Sequence, residues 1–336
     1  MTTTAEINGK VRIGVVGAGV MGQNHLRVYD QLKNSVLVGC FDIDQDKNIE
    51  VAAQFGCVPF SHMENMIGEV DAVSICAPSS LHRECGLFFL NQGVHCLIEK
   101  PLATTKEDCL ALIDSAQRND VQLLVGHIER FNPAVQQIFT LLSEGAKIQA
   151  IDAQRLSAVS ARIRDIDVVA DLMVHDLDIM LALEGSAVKN MAAAAVSTEK
   201  SQGGDHISTL IQFESGVIAN LTASRISQLP VRRLTVTTDS GVVAVDYMNQ
   251  SADIYLHSET IQRDRSITPF GEYSSGISLE SVQIRRQEPL QLELIHFVDI
   301  IQTGAPPMIS GAQALSALEL VWEIQAILGN PTRDAD

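Results

Sequence analysis

The chain of 336 residues has few basic side chains for its size and no hydrophobic run of the length that a membrane span requires. It carries 24 Lys and Arg against 41 Asp and Glu, a formal net charge of −17. A nucleic-acid-binding protein is expected to show the opposite balance, a basic footprint that neutralises phosphates. The first ten residues also lack the basic-then-apolar pattern of a secretory signal. We therefore expect a cytoplasmic protein that binds neither nucleic acid nor a membrane.

The six cysteines include no close C-x-x-C pair, the spacing of many zinc and redox sites. All of them fall in the first third of the chain, and several lie within apolar runs such as VSICAP and VHCLIEKP. The pattern therefore predicts reduced thiols in a hydrophobic core, with neither disulfides nor a metal site.

The pattern of predicted helices and strands changes at Gly126. Before it, short apolar strands alternate with helical patterns, which is typical of an α/β Rossmann domain with a doubly wound parallel sheet. After it, longer strands follow one another through hairpin-type turns. The sequence predicts a Rossmann domain over residues 1–126. Residues 127–336 are predicted to form an α+β domain with a large, mostly antiparallel open sheet, backed by helices near 168–183, 290–303 and 312–328.

A glycine-rich motif, GAGVMG, directly follows the first predicted strand and opens a helical pattern. Such a loop lets the backbone approach a pyrophosphate and aims the N–H groups of a helix N-terminus at it. Asp42 stands at the end of the second strand, where a carboxylate binds the ribose 2′-hydroxyl of NAD and repels the 2′-phosphate of NADP. The alternative is a tight turn and a capping Asp, but the context favours an NAD site. The residues of this motif that are predicted to bind NAD are Gly17, Ala18, Gly19, Val20, Met21 and Gly22.

The segment Glu99-Lys100-Pro101 follows another predicted strand. Carboxyl ends of strands line the ligand crevice of a doubly wound sheet, so a lysine there is placed to hydrogen-bond a substrate oxygen. A solvated surface lysine is the alternative and is the usual environment of this residue type. Position alone leaves both interpretations open.

Asp171 and His175 are four residues apart in an otherwise apolar helical pattern and therefore share one face. A histidine titrates near neutral pH and suits removal of a proton from an alcohol, and a neighbouring carboxylate can fix its tautomer. An ordinary helix-surface pair is the alternative. The spacing also suits a metal, but no convincing further ligands accompany it.

Three arginines, Arg155, Arg162 and Arg164, cluster before that helix in a strongly acidic chain. Arginine grips phosphate through paired hydrogen bonds, which favours an anionic substrate. Salt bridges with neighbours such as Asp165 are the alternative. Asp167 is predicted to cap the helix.

Together these motifs resemble the glucose–fructose oxidoreductase, inositol dehydrogenase and rhizopine-catabolism (Gfo/Idh/MocA) family over essentially the whole chain. The resemblance is carried by GVVGAGVMG, CAPSSLH, IEKPLA, VGHIERFNP and DLMVHDLDI. It implies an NAD-dependent dehydrogenase of a sugar or sugar derivative, in which Lys100 contacts the reacting hydroxyl, His175 is the base and Asp171 supports it. The implied cofactor contacts beyond the glycine motif are Asp42, Ala77, Pro78, Ser79, His82, Glu99, Lys100 and His127. The implied substrate contacts are Lys100, His127, Arg130, Arg155, Arg162, Arg164, Asp171 and His175.

A narrower resemblance concerns the substrate. VGHIERFNPAV together with RIRDIDVVADLMVHDLDIML is similar to bacterial enzymes that oxidise the 3-hydroxyl of UDP-N-acetylglucosamine on the way to the diamino sugars of lipid A. It implies a UDP-sugar substrate, arginines that hold its pyrophosphate, and a 3-keto product for a downstream aminotransferase. Family members commonly form dimers or tetramers through the open face of the C-terminal sheet, which implies a homo-oligomer here.

Three other functions fit the same family resemblance. One is a dehydrogenase of a free sugar or inositol, and another is a reductase that works with NADH. The third is a non-catalytic NAD-sensing regulator, as the yeast galactose-regulon repressor is within the family. Intact Lys100, Asp171 and His175 argue against the regulator. Val169-Ala170 stand where family members often have glycines, a departure that concerns the substrate more than the chemistry.

Overall fold

The structure, a computed structural model, describes residues 9–143, 145–158, 167–198, 204–257 and 277–329. The chain divides into two units, each with a sheet of its own. The first unit contains the residues up to Phe131 and the later segment Glu288–Glu319. The second contains Asn132–Gln287 and Leu320–Arg333.

The sheet of the first unit is built from parallel strands. They are β1 (Val11–Val16), β2 (Ser35–Phe41), β3 (Val58–Pro59), β4 (Ala72–Ile75), β5 (His95–Glu99) and β6 (Leu123–Gly126). Their order, β3-β2-β1-β4-β5-β6, is that of a Rossmann fold, in which ligands bind at the carboxyl ends of the strands where the order reverses. The sequences of β4 and β6, AVSI and LLVG, are buried throughout, as expected for strands covered on both faces.

Helices cover this sheet. They are α1 (Val20–Gln31), α2 (Gln45–Phe55), α3 (His82–Leu90), α4 (Lys106–Arg118) and, from late in the chain, α7 (Pro289–Thr303). The Asp44 and Thr105 side chains cap α2 and α4 by accepting hydrogen bonds from backbone N–H groups of their first turns. Gly56 ends α2 with a left-handed φ of 64°. Helix α7 packs against α1 and β1, so a segment far along the chain completes the core of this unit.

The second unit contains a mixed sheet. Its described strands are β7 (Ile148–Leu156), β8 (Val188–Val196), β9 (His206–Phe213), β10 (Ile218–Ser224), β11 (Val231–Thr238), β12 (Gly241–Asp246), β13 (Ser251–His257) and β14 (Ile277–Val282). They lie in the order β14-β13-β12-β11-β7-β10-β9-β8. The pair β7 and β10 is parallel and the other neighbours are antiparallel. Along β9, Ile207, Ile211 and Phe213 point inward and are buried, whereas Leu210 points outward and is 47% exposed.

The helices of the second unit are α5 (Pro133–Ser143), α6 (Val174–Glu184) and the second half of α8 (Gly311–Ile327). A π-helical turn, Val169–Met173, leads into α6, and Gly185 ends that helix with a φ of 74°. Helix α6 packs on β7 and β10, which places it on the inner face of the sheet. Among the described residues, no helix combines the length and apolar character needed to cross a bilayer.

The predicted fold class is confirmed: a parallel Rossmann sheet precedes a separate, mostly antiparallel one. One part of the predicted domain division is corrected by the structure. The sequence assigns all residues after 126 to the second domain, but Glu288–Glu319 belongs to the first unit. The apolar pattern of α7 identifies a buried face without identifying which sheet it covers, and the helix packs against α1 and β1.

Candidate active site

The loop of residues 17–22 connects β1 to α1, and its glycines set its shape. Gly17 has a φ of +94°, and a Cβ there would lie 2.7 Å from the carbonyl oxygen of Cys76. A Cβ on Gly22 would lie 1.8 Å from the carbonyl oxygen of Gly17, an approach that any other residue would block. A Cβ on Gly19 would meet no atom within 4 Å. The loop therefore leaves room where a Rossmann fold places a pyrophosphate.

Helix α1 begins at this loop with Gly19 as its N-cap, and no described side chain accepts a hydrogen bond from its first turn. The first N–H groups of the helix are thus directed at the space beside Gly19, the arrangement that binds phosphate at helix N-termini. Val20 and Met21 are exposed at the same place, by 69% and 37%. These residues fit the diphosphate of a dinucleotide.

Asp42 follows β2 and is anchored at the edge of the glycine loop. Its Oδ2 accepts a hydrogen bond from Ala18 N–H at 2.7 Å, and its Oδ1 accepts one from Asp44 N–H at 3.0 Å. Lys47 Nζ lies 3.2 Å from Oδ2. Burial alone would raise the pKa of Asp42, but these hydrogen bonds and the lysine charge lower it below its ordinary value. The carboxylate is therefore ionised and oriented, as a ligand for a ribose hydroxyl must be.

The Glu99-Lys100-Pro101 segment begins at the carboxyl end of β5. Glu99 Oε1 lies 3.0 Å from His25 Nε2 of α1, and Glu99 Oε2 accepts a hydrogen bond from Lys100 N–H at 3.3 Å. His25 is fully buried and Glu99 and Lys100 are half-buried. The backbone that carries Lys100 is thus tied to helix α1 through the Glu99 carboxyl.

His82, at the start of α3, links two segments that the sequence assigns to cofactor binding. Its Nδ1 lies 2.7 Å from the carbonyl oxygen of Pro101 and its Nε2 lies 2.9 Å from that of Ala77. Burial lowers the pKa of His82, and the two carbonyl oxygens partly offset that effect. The ring joins the segment after β4, which includes Pro78 and Ser79, to the segment after β5.

His127 and Arg130 lie where β6 ends in a 3-10 turn, Ile128–Phe131. His127 N–H donates to the carbonyl oxygen of Val125 at 2.8 Å, and both side chains are buried, with 1% and 5% exposure. Their roles as ligand contacts stay predictions.

Asp167 begins the helical segment of the second unit, as predicted. Its Oδ1 accepts hydrogen bonds from the N–H groups of Val169 and Ala170 at 2.8 and 2.9 Å. Asp171 lies in the π-helical turn that follows, and His175 lies in the first turn of α6. Both side chains are half-buried. A π-helical turn is rare and is frequently found at functional sites.

Arg155 has a different environment from the predicted one. Its side chain is 3% exposed, and its Nε and Nη2 donate to the two carboxylate oxygens of Asp176 at 2.8 and 2.9 Å. The Tyr247 ring lies 5.1 Å from the guanidinium carbon, and Tyr247 O–H donates to Asp176 at 3.3 Å. The guanidinium thus joins β7 to α6 through a buried ion pair, and a phosphate-binding role for Arg155 stays a prediction. Arg162 and Arg164 lie outside the described residues.

These features define a class of protein. A parallel sheet of Rossmann order, an uncapped helix N-terminus beside an open glycine, and an ionised Asp after β2 are the components of a dinucleotide site. The first unit is thus the NAD-binding domain of an oxidoreductase.

Comparison with known proteins identifies the family. Residues 11–127 match the domain described as "Oxidoreductase family, NAD-binding Rossmann fold", and residues 159–244 match the Gfo/Idh/MocA C-terminal domain. The chain belongs to the Gfo/Idh/MocA family and is an NAD-dependent dehydrogenase.

Individual relatives are consistent with this assignment. The chain is 32% identical to UDP-N-acetylglucosamine 3-dehydrogenase of Acidithiobacillus ferrooxidans over 94% of this chain and 96% of the relative. The solved structure of that enzyme superposes with a TM-score of 0.85, covering 95% of this chain and 98% of that one at 31% identity. An inositol 2-dehydrogenase of Acidothermus cellulolyticus is 28% identical over 64% of this chain and 66% of the relative.

Several polar side chains around these segments are not indicated by the sequence motifs. Asp176 beside Arg155 and Lys47 beside Asp42 are charged partners that simple spacing does not reveal. His25 carries a detectable signal, because it stands at an apolar position of the α1 pattern and a buried imidazole there requires a polar partner. That partner is Glu99.

Proposed function

We propose that this enzyme oxidises the 3-hydroxyl of a UDP-sugar, UDP-N-acetylglucosamine, to the 3-keto sugar. The observation that carries the proposal is the similarity to the Acidithiobacillus ferrooxidans enzyme, which extends over nearly the full length of both chains at 32% identity. Two sequences, VGHIERFNPAV and RIRDIDVVADLMVHDLDIML, resemble enzymes that act on this UDP-sugar. They contain the turn after β6 and the segment from Asp171 to His175. Fold alone would not support a substrate, since one fold hosts many substrates.

Three residues are assigned to the chemistry in this proposal. NAD, when bound, accepts the hydride that leaves the sugar carbon. His175 removes the hydroxyl proton, because an imidazole is a base of near-neutral pKa. Lys100 hydrogen-bonds the same oxygen and stabilises the negative charge that develops on it. Asp171 orients the His175 ring and favours its protonated form.

Substrate phosphate is assigned to Arg162 and Arg164, which precede the Asp167 cap in sequence. Arginine binds a pyrophosphate through paired hydrogen bonds, so two of them offset the repulsion between a phosphorylated substrate and a chain of net charge −17. Arg155 is left out of this set because its guanidinium is buried against Asp176. Met in place of Arg162 or Arg164 should raise KM for the UDP-sugar more than Kd for NAD.

Three further assignments complete the proposal. The enzyme forms a homo-oligomer through the outer face of the C-terminal sheet, where Leu210 and Ile218 are exposed by 47% and 43%. The keto product is the substrate of an aminotransferase in an amino-sugar pathway such as that of lipid A. The location is cytoplasmic, because all six cysteines are free thiols, the state favoured by a reducing compartment.

The decisive experiment measures NADH formation at ~340 nm, the reduced-nicotinamide band, with matched pairs of substrates. UDP-N-acetylglucosamine is compared with N-acetylglucosamine, UDP-glucose, glucose and myo-inositol. The proposal expects the highest kcat/KM for UDP-N-acetylglucosamine and a large loss when the UDP group is removed. A higher kcat/KM for myo-inositol or a free sugar would contradict it and would favour the activity named for the inositol dehydrogenase relative.

A further inference from the structure

The core of the second unit contains three polar side chains that contact one another, those of Arg155, Asp176 and Tyr247. They are 3%, 3% and 4% exposed. Each comes from a different element: Arg155 from β7, Asp176 from α6, and Tyr247 from the turn that follows β12. Hydrogen bonds between buried polar groups are directional, unlike the apolar contacts around them. These three residues are named the α6 anchor.

Asp176 lies at the centre of the α6 anchor. Its Oδ2 accepts a hydrogen bond from Arg155 Nε at 2.8 Å, and its Oδ1 accepts one from Arg155 Nη2 at 2.9 Å. Tyr247 O–H donates to Oδ1 at 3.3 Å, and the Tyr247 ring lies 5.1 Å from the guanidinium carbon. Paired N–H bonds from a guanidinium fix the plane of a carboxylate as well as its position. The Asp176 carboxylate is therefore held in both distance and orientation.

The backbone of Tyr247 is itself fixed by two other elements. Its N–H donates to the carbonyl oxygen of Arg232 in β11 at 3.0 Å, and its carbonyl oxygen accepts a hydrogen bond from Asn132 Nδ2 at 3.1 Å. Asn132 is buried, and its Oδ1 accepts the N–H of Ala134 in the first turn of α5 at 3.1 Å. The α6 anchor is thus connected to the sheet and to α5, which makes it part of the rigid frame of this unit.

His175 directly precedes Asp176 in the first turn of α6. Consecutive residues of an α-helix are separated by about 100° around the axis and about 1.5 Å along it. A carboxylate fixed at position 176 therefore determines the direction in which the His175 side chain projects. No described side chain caps the start of α6, and the contacts of the buried Val174 and Leu177 are apolar and non-directional. The α6 anchor thus supplies directional contacts at this end of the helix.

We propose that Asp176, held by Arg155 and Tyr247, is a positioning residue for His175: the α6 anchor sets the direction of the imidazole. This inference rests on the proposed role of His175 as the base. A base acts only within hydrogen-bond reach of the proton it removes, and a displacement of about 1 Å can lower the rate by about 100-fold. The anchor therefore supports turnover by acting through His175.

Replacing both members of the ion pair separates positioning from stability. The double variant Arg155→Met, Asp176→Leu removes the directional bonds and fills the space with apolar groups, an exchange that is often neutral for the free energy of unfolding. It should lower kcat by about 10- to 100-fold while KM, Kd for NAD and Tm change little. The control, Asp114→Leu with Arg118→Met, replaces an exposed pair on α4 and should keep wild-type kcat. A folded double variant with wild-type kcat would overturn the proposal.

A milder variant tests whether the anchor acts through His175. Tyr247→Phe removes only the hydroxyl that donates to Asp176, and Tyr255→Phe on β13, where the side chain is 39% exposed, is the control for the same change. Tyr247→Phe should lower kcat by about 3- to 10-fold, the scale of one hydrogen bond. In a His175→Ala background it should have no further effect, because no imidazole is left to position. An equal loss of kcat in both backgrounds would overturn the proposal.

The orientation of the imidazole is also measured without any substrate. The NMR signal of the His175 ring is assigned by its loss in His175→Ala. It should shift in Tyr247→Phe and stay in place in Tyr255→Phe. An unshifted His175 signal in Tyr247→Phe would contradict the positioning role. A His175→Ala enzyme with wild-type kcat would instead refute the proposed base, and the NMR comparison would still decide whether the α6 anchor orients the ring.

Discussion

Lys47 Nζ lies 3.2 Å from Asp42 Oδ2, so the carboxylate expected to bind the adenosine ribose already has a cation beside it. Replacing Asp42 with Ser removes the charge that repels a 2′-phosphate and leaves Lys47 in place to receive one. The ratio of kcat/KM for NAD to that for NADP should fall by about 10- to 100-fold, corresponding to about 1.5–3 kcal/mol for hydrogen bonds to charged groups.

The matched control for this prediction is the double variant Asp42→Ser, Lys47→Met. Its kcat/KM with NAD should be as low as that of Asp42→Ser. Its kcat/KM with NADP should be lower than that of Asp42→Ser, because the Lys47 cation that would receive the 2′-phosphate is gone. An NADP preference in the wild-type enzyme would contradict the assignment of Asp42.

Removal of either proposed catalytic group should reduce turnover without reducing cofactor binding. His175→Ala and Lys100→Ala should each lower kcat by about 10²- to 10⁴-fold, the contribution of a positioned acid or base. NAD affinity, followed by protein fluorescence, should stay nearly unchanged. A His175→Ala enzyme with wild-type kcat, when a deuterated substrate shows that hydride transfer is rate-limiting, would refute the role of that residue.

The buried pair of Arg155 and Asp176 should matter for stability and not for substrate affinity. Arg155→Met leaves a buried carboxylate without its partner and should lower the free energy of unfolding by about 3–5 kcal/mol, measured by urea denaturation. The control is Arg118→Met, which breaks an exposed pair with Asp114 on α4 and should cost about 0–1 kcal/mol. A large rise in KM for a UDP-sugar with unchanged stability would support the phosphate-binding role instead.

Oligomer formation should depend on the outer face of β9. Leu210→Arg introduces a charge that an isologous interface would bury beside its own symmetry mate, and sedimentation velocity should show a smaller species than wild type. The control is Ile49→Arg on α2, an apolar position of the first unit that is 56% exposed, and this variant should sediment as wild type does. The same sedimentation coefficient for Leu210→Arg and wild type would place the interface elsewhere.

Sequence alone predicts the Rossmann strands well because buried parallel strands are short, continuous apolar runs. The apolar runs Val11–Val16 and His95–Ile98 predict two of these strands, and the structure has β1 with the same bounds and β5 with one residue more, Glu99. Strand β8 is not predicted, since VKNMAAAAV contains the strongest helix former four times in succession, and the pairing with β9 overrides that propensity. Helix α2 is also not predicted, because Val51 and Ala52 are its only buried apolar residues.

The candidate site also has some features that the sequence predicts and others that it does not. The shape of the glycine loop is encoded in adjacent residues and is evident from the sequence, as is the cap formed by Asp167. The pairings of Asp176 with Arg155 and with Tyr247 depend on contacts between distant segments. The spacing of neighbouring residues does not predict contacts between distant segments. A charged residue such as Arg155 is therefore compatible with both a ligand contact and a salt bridge when only the sequence is known.

The late arrival of helix α7 has a consequence for synthesis of the chain. A ribosome that has released residues 9–131 has delivered every described strand of the Rossmann sheet, but the helix that packs on α1 and β1 follows only after Asn132–Gln287, the larger segment of the second unit. At roughly 5–20 residues per second, that delay lasts about 10–30 s. During that interval the surface destined to pack against Leu294 and Phe297 is uncovered. Premature termination before Pro289 thus yields a Rossmann unit that keeps this apolar surface exposed and cannot complete its own core.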